Sequence, residues 1–168
     1  DFVRDKDAVT STLLICEIAA LLKSEGSSVY EKLIQLYVEH GFYKEKLISL
    51  VKKGIEGQKI IKQKMEDLRS NPLESIAGEK IVLIEDYQAS TAQNLQNNTQ
   101  TEINIPKSNV LIYYTENGTK IAARPSGTEP KIKFYMSVNA DLEKVEDYDA
   151  VNASLDQKID TILKELGL

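Results

Sequence analysis

Ile132, Phe134, Met136 and Val138 are apolar, and Lys131, Lys133, Tyr135 and Ser137 interleave with them. A period of two over that length predicts a β-strand with one face on a core and the other open. Such a strand needs partners, and the preceding sequence supplies them. Residues 110–115 and 120–124 read as two strands joined across Asn117-Gly118, a strong hairpin signal. Ile81-Val82-Leu83-Ile84 is a further short strand core. Residues 150–166 predict a closing helix that buries Leu155, Ile159, Ile162, Leu163 and Leu166. The C-terminal half is therefore expected to be an antiparallel sheet with a helix against one face, giving an α+β fold class.

The N-terminal half has a different rhythm. A helix over 7–23, with Asp7 as N-cap, is apolar on nearly every face, which predicts burial in a layered α/β domain. Cys16 lies in that run, where a packing role is expected rather than a nucleophilic one. Ser28-Val29-Tyr30-Glu31 is a capping box. It opens a helix whose stripe is Val29, Leu33, Leu36 and Tyr37, closed by Gly41. Residues 42–51 alternate only partly and read as extended. A third helix over 58–69 stops at Asn71-Pro72. The pattern then turns from helical to extended, which predicts a division into 1–72, a linker over 73–78, and 79–168. Residues 86–106 are dominated by Gln, Asn, Ser and Thr and read as a long polar loop with a mobile tip.

Bulk properties remove several function classes. The chain has 168 residues, a formal net charge of −5 and a pI near 5.1, which argues against a general nucleic-acid binder. Its one cysteine excludes an internal disulfide and fits a reducing, cytoplasmic setting. The apolar runs are too short to span a bilayer, and no signal peptide opens the sequence. The first residue is Asp1 rather than Met, followed by the charged Arg4-Asp5-Lys6-Asp7, so the chain reads as a piece of a longer protein. His40 is the sole histidine and sits at a helix end, where a cation complements the dipole. No His, Cys or carboxylate cluster has metal-ligand spacing.

The segment Arg124-Pro125-Ser126-Gly127-Thr128-Glu129-Pro130 joins the second hairpin strand to the alternating strand. Its residue types are those of an oxyanion cradle. Arg124 brings a planar fork of donors matched to phosphate. Ser126 and Thr128 add hydroxyls. Gly127 permits a positive φ at which backbone N–H groups converge on an anion. Pro125 and Pro130 restrict the loop. Lys133 returns a second charge from the next strand. Glu129 is the awkward member, since a carboxylate repels phosphate; holding Arg124 or a backbone N–H would reconcile it.

This stretch, continued by Lys131-Ile132-Lys133-Phe134-Tyr135, closely resembles the phosphate-binding loop of the C-terminal domain of the α-D-phosphohexomutases. It is most similar to the branch that includes phosphoglucomutase-2 and the related phosphopentomutases. The opening Arg4-Asp5-Lys6-Asp7 resembles a second family segment, one that follows the sugar-binding loop. The resemblance implies that residues 1–72 are the later part of a third domain, mostly helical here, and 79–168 a whole fourth domain. It implies that Arg124, Ser126, Gly127, Thr128 and Lys133 bind the substrate phosphate that is not being transferred. Lys6 is implied as a catalytic contact or proton-transfer partner, with Arg4 and Glu129 in support. Lys133 stands where relatives carry Arg.

The implied activity is phosphotransfer between positions of a sugar phosphate, through a phosphoserine and a bisphosphate intermediate. The implied cofactors are Mg²⁺ and a glucose 1,6-bisphosphate-type activator. The phosphoserine loop, the Asp-rich metal loop and the Glu-rich sugar loop of the family do not occur in this chain. The implied partners are therefore the sugar phosphate and upstream domains of the same protein, and the fragment alone is expected to be inactive. The alternative is a stand-alone sugar-phosphate-binding module without catalysis.

Overall fold

The computed structural model describes residues 5–52 and 54–168, and it parts into two compact units. The smaller comprises residues 1–42 and 141–149, the larger 43–140 and 150–168.

In the smaller unit, α1 (Ala8–Ser24) begins where the Asp7 carboxylate accepts from the N–H groups of Val9 and Thr10, both at 3.0 Å. Those bonds satisfy donors that the first turn leaves unpaired. Helix α2 (Val29–His40) starts with Ser28 Oγ accepting from Glu31 N–H at 3.1 Å. It ends as Gly41, at φ 92°, donates its N–H to Tyr37. Phe42, Tyr37 and Tyr148 form a three-ring cluster, with the Phe42 centroid 4.4 and 5.2 Å from the two tyrosines and the tyrosines 6.3 Å apart.

The expected burial of α1 is not found. Leu22 is its one buried residue, while Leu13 is 68% exposed and Cys16 is also exposed. A helix apolar all round needs neighbours all round, and no sheet of its own unit stands against it. The α2 stripe is corrected likewise: Val29, Leu33 and Leu36 are exposed, and the buried residue is Ile34.

The larger unit is built on one antiparallel sheet. Its strands are β1 (Phe42–Val51), β2 (Ser75–Ile76), β3 (Glu79–Asp86), β4 (Thr91–Asn94), β5 (Thr99–Glu102), β6 (Leu111–Thr115), β7 (Lys120–Pro125) and β8 (Lys131–Ala140). The order is β1-β8-β7-β6-β3-β4-β5, with β2 paired to β3. Helices α3 (Gly54–Ser70) and α4 (Tyr148–Glu165) supply the cover, the latter from its residue 150 onward in this unit. The inner face of β8 carries Ile132, Phe134, Met136 and Val138, all fully buried as their alternation required. Ile61 and Met65 of α3 and Leu155, Ile159 and Ile162 of α4 complete the core. Burying each such side chain contributes about 1.5–3 kcal/mol against leaving it in water.

Polar ties hold the helices to the sheet. Tyr113 on β6 donates its hydroxyl to the Leu68 carbonyl at 2.7 Å, and burial pushes its phenol up to about 12. Lys158 on α4 pairs with Glu79 at 2.5 Å, and Thr115 donates to the same carboxylate at 2.6 Å.

One expectation about this half changes. Residues 86–106 hold the β4–β5 hairpin rather than a long loop. Its turn is made by side chains: Asn94 accepts from the N–H groups of Gln96 and Asn97, and Asn97 accepts from Thr99 N–H. Asn tolerates the left-handed conformation that Asn98 adopts at φ 53°. Strand β1, from Tyr43 onward, and α3 belong to the larger contact unit with the sheet. Strand β1 lies beside β8, and Lys52 N–H donates to the Pro130 carbonyl at 2.9 Å where the end of one strand meets the start of the other.

Candidate functional site

The β6–β7 hairpin fixes which side chains reach the loop that follows. Gly118 in its turn has φ 83°, the left-handed conformation that favours glycine; a Cβ there would also meet Asn139 Nδ2 at 2.8 Å, a side-chain end free to shift. From that turn, Ile121 and Ala123 face the core. Lys120, Ala122 and Arg124 therefore face the open side. On β8 the open side carries Lys131, Lys133, Tyr135 and Ser137. Register sets Arg124 opposite Lys133, and Ala122 opposite Tyr135.

Residues 126–130 close the connection. Ser126 N–H donates to the Lys131 carbonyl at 2.7 Å, and Ser126 Oγ accepts from the N–H groups of Thr128 and Glu129 at 3.4 and 3.3 Å. Beside the loop is an open cavity of about 210 Å³. Arg124, Ser126, Gly127 and Lys133 line it, together with Lys131 and Tyr135. Lys131 and Tyr135 follow the period of two that places Lys133, which was the available signal. Neither Arg124 nor Lys133 makes an ion pair among the described residues. Two unmatched cations in register form a site of positive potential on an acidic body.

Other expected members sit elsewhere. Thr128 lines an adjoining cavity with Gln58 and Lys62 of α3, one that shares Ser126 and Gly127 with the first. Glu129 lines that cavity too and pairs with Lys131 at 2.7 Å, not with Arg124. Hydrogen bonding from Lys131, then its charge, holds the Glu129 carboxyl below the usual range. Gly127 does not adopt a positive φ. A Cβ added there meets nothing within 4 Å, so neither backbone conformation nor packing requires glycine at this position. The backbone amides of Thr128 and Glu129 are used within the loop by Ser126 rather than converging on an open point. Lys6 belongs to the smaller unit, is exposed, and pairs with Asp5 at 3.2 Å. Arg4 lies outside the described residues. Among the described residues no group of three or more His, Cys, Asp or Glu is placed to hold a metal ion. No described helix is long and apolar enough to cross a membrane.

Fold and loop together define an α+β unit with a cation-lined cradle at the β7–β8 connection. The chain is 43% identical over 141 residues to a phosphoglucomutase of Staphylococcus haemolyticus (strain JCSC1435), covering 84% of this chain and 26% of that protein. It is 42% identical over 158 residues to a phosphoglucomutase of Staphylococcus aureus (strain MRSA252), covering 94% of this chain and 28% of that protein. These homologues support the phosphohexomutase family, and the chain spans about a quarter of their length. No protein-family model matches the chain. A solved structure, the open form of the exocytosis-sensitive phosphoprotein pp63/parafusin (phosphoglucomutase) from Paramecium, covers 99% of this chain and 29% of that chain, at TM-score 0.49 and 14% identity.

Proposed function

We propose that this chain is the C-terminal part of a phosphohexomutase of the phosphoglucomutase kind, and that the loop over 124–130 binds the phosphate that stays in place during transfer. The observation that carries this reading is the pairing of Arg124 and Lys133 across β7 and β8, without carboxylate partners, over an open cavity. In the reaction proposed, a phosphoserine elsewhere in the protein gives its phosphoryl group to a sugar phosphate, and the bisphosphate returns one to the serine. The cradle's task is positioning. Holding one phosphate fixes the distance and angle of the reacting oxygen, which supplies a large part of the barrier reduction in phosphoryl transfer. A cradle that reads only phosphate also accepts either orientation of the bisphosphate.

Within it, Arg124 offers two parallel donors and Lys133 a point charge. Ser126 holds the loop and turns its hydroxyl proton outward. Gly127 lines the cavity. Lys6 and Arg4 are proposed to act from their segment in the assembled enzyme, and Thr128 and Glu129 to support the loop from the adjoining cavity. Mg²⁺ is held by the upstream domains in this reading.

The test is titration of the chain with inorganic phosphate and glucose 1-phosphate. Both are expected to bind, and both to weaken in Arg124→Ala. Unchanged binding in that variant would refute the cradle. Measurable turnover by the 168-residue chain in a coupled mutase assay would refute the fragment's inactivity.

A further inference from the structure

A second cavity, of about 500 Å³, lies on the open face of the sheet. Leu47 of β1, Ala122 of β7 and Tyr135 of β8 line it, together with the charged Glu45, Lys46 and Lys120. Tyr135 is 41% exposed and belongs to both this cavity and the cradle. The register orders three rows along that face: Arg124 with Lys133, then Ala122 with Tyr135, then Lys120 with Ser137. Successive rows on one face of a strand pair are about 7 Å apart.

A phosphate held in the first row therefore sets whatever it carries over the second. There it meets a phenol ring beside the methyl of Ala122 and the side chain of Leu47. Half-exposed apolar side chains favour a flat uncharged ring, which removes them from water without a polar cost. A ring of hydroxyls would leave polar groups facing Leu47 and Ala122 unmatched. The volume is in the range of small-molecule sites, about 300–1,000 Å³, and exceeds what a hexose ring needs. Beyond the second row, Glu45 offers an acceptor to the edge of a heterocycle, while the Lys120 ammonium lies over the Tyr114 ring, 5.6 Å from its centroid.

We infer that the two cavities together take a nucleoside monophosphate, with its phosphate on Arg124 and Lys133 and its base stacked on Tyr135. This rests on the reading of the loop as a phosphate cradle and extends it to a second ligand class that competes with sugar phosphate.

The probes are AMP, inorganic phosphate and glucose 1-phosphate, each titrated calorimetrically into the chain. AMP is expected to bind about tenfold tighter than inorganic phosphate, the effect of one base on an aromatic platform, and tighter than glucose 1-phosphate. Tyr135→Ala is expected to bring the ratio of AMP to phosphate affinity to about one, and Leu47→Ala to lower it independently. Both side chains are on the exposed face, and circular dichroism will confirm the fold of each variant. AMP binding no tighter than phosphate, glucose 1-phosphate equal to AMP, or a ratio unmoved by both variants would overturn the nucleotide proposal alone. Phosphate binding indifferent to Arg124→Ala would instead overturn the cradle beneath it.

Discussion

Arg124 and Lys133 stand opposite one another on β7 and β8 with no carboxylate between them. Like charges in register destabilise a sheet. An anion that sits between them removes that cost and adds charge-assisted hydrogen bonds. Arg124→Ala is therefore expected to weaken phosphate binding roughly tenfold to a hundredfold, the effect of losing hydrogen bonds to a charged group. Arg124→Lys should fall between, because the bidentate geometry is lost while the charge remains. In the absence of phosphate the same variants should melt no lower than the parent. Calorimetric titration and a thermal melt check the two halves.

Glu129 takes up Lys131, one of the three cations near the cradle. Glu129→Gln frees that cation for the ligand. Phosphate affinity is expected to rise roughly twofold to fivefold, the scale of an exposed charge. The gain should shrink in high salt, where surface charges are screened. Titration at low and high ionic strength reads both effects.

Glu79 links stability to pH. Burial raises its pKa, but hydrogen bonds from Lys158 and Thr115 outweigh that and leave it lowered from 4.5. A carboxylate depressed in the folded state stabilises above the unfolded value and loses that contribution as pH falls through the folded one. Denaturation midpoints are therefore expected to drop below about pH 4.5 in the parent. In Glu79→Gln that part of the slope should vanish. Glu79→Ala should also cost about 1–3 kcal/mol near neutral pH, since Lys158 loses its partner.

Cys16 lies on the exposed surface of α1, contrary to its apolar surroundings in sequence. In the native 168-residue chain a thiol reagent is expected to label it fully, at a rate close to that in denaturant. Strong protection in the native chain would count against the exposure of α1.

The sheet was legible where neighbouring residues decide the outcome. The alternation of β8 and the Asn117-Gly118 turn both place their residues correctly, because a strand's facing and a tight turn are local properties. The β4–β5 hairpin was hidden because its strands, Thr91–Asn94 and Thr99–Glu102, carry no apolar face. They are held at the sheet's edge by backbone pairing and Asn side chains. The burial of α1 failed for the opposite reason: apolar composition states that a partner is wanted, not that it is present. In the candidate site, the facing of Arg124 and Lys133 on their strands was readable from the period of two. The cavity that Thr128 and Glu129 line was not, because it depends on how Ser126 Oγ gathers two amides.

That last contact also selects the ionisation state of whatever binds. Ser126 spends its lone pairs on Thr128 and Glu129, so only its proton is left to offer outward. Arg124, Lys131 and Lys133 likewise have protons to give and no lone pair to receive one. A surface on which cationic donors far outnumber acceptors, the Tyr135 phenol oxygen among them, has little with which to greet a P–O–H group. The dianion of a phosphate monoester should therefore be preferred over the monoanion, and affinity should climb with pH through the ester's second ionisation, near pH 6.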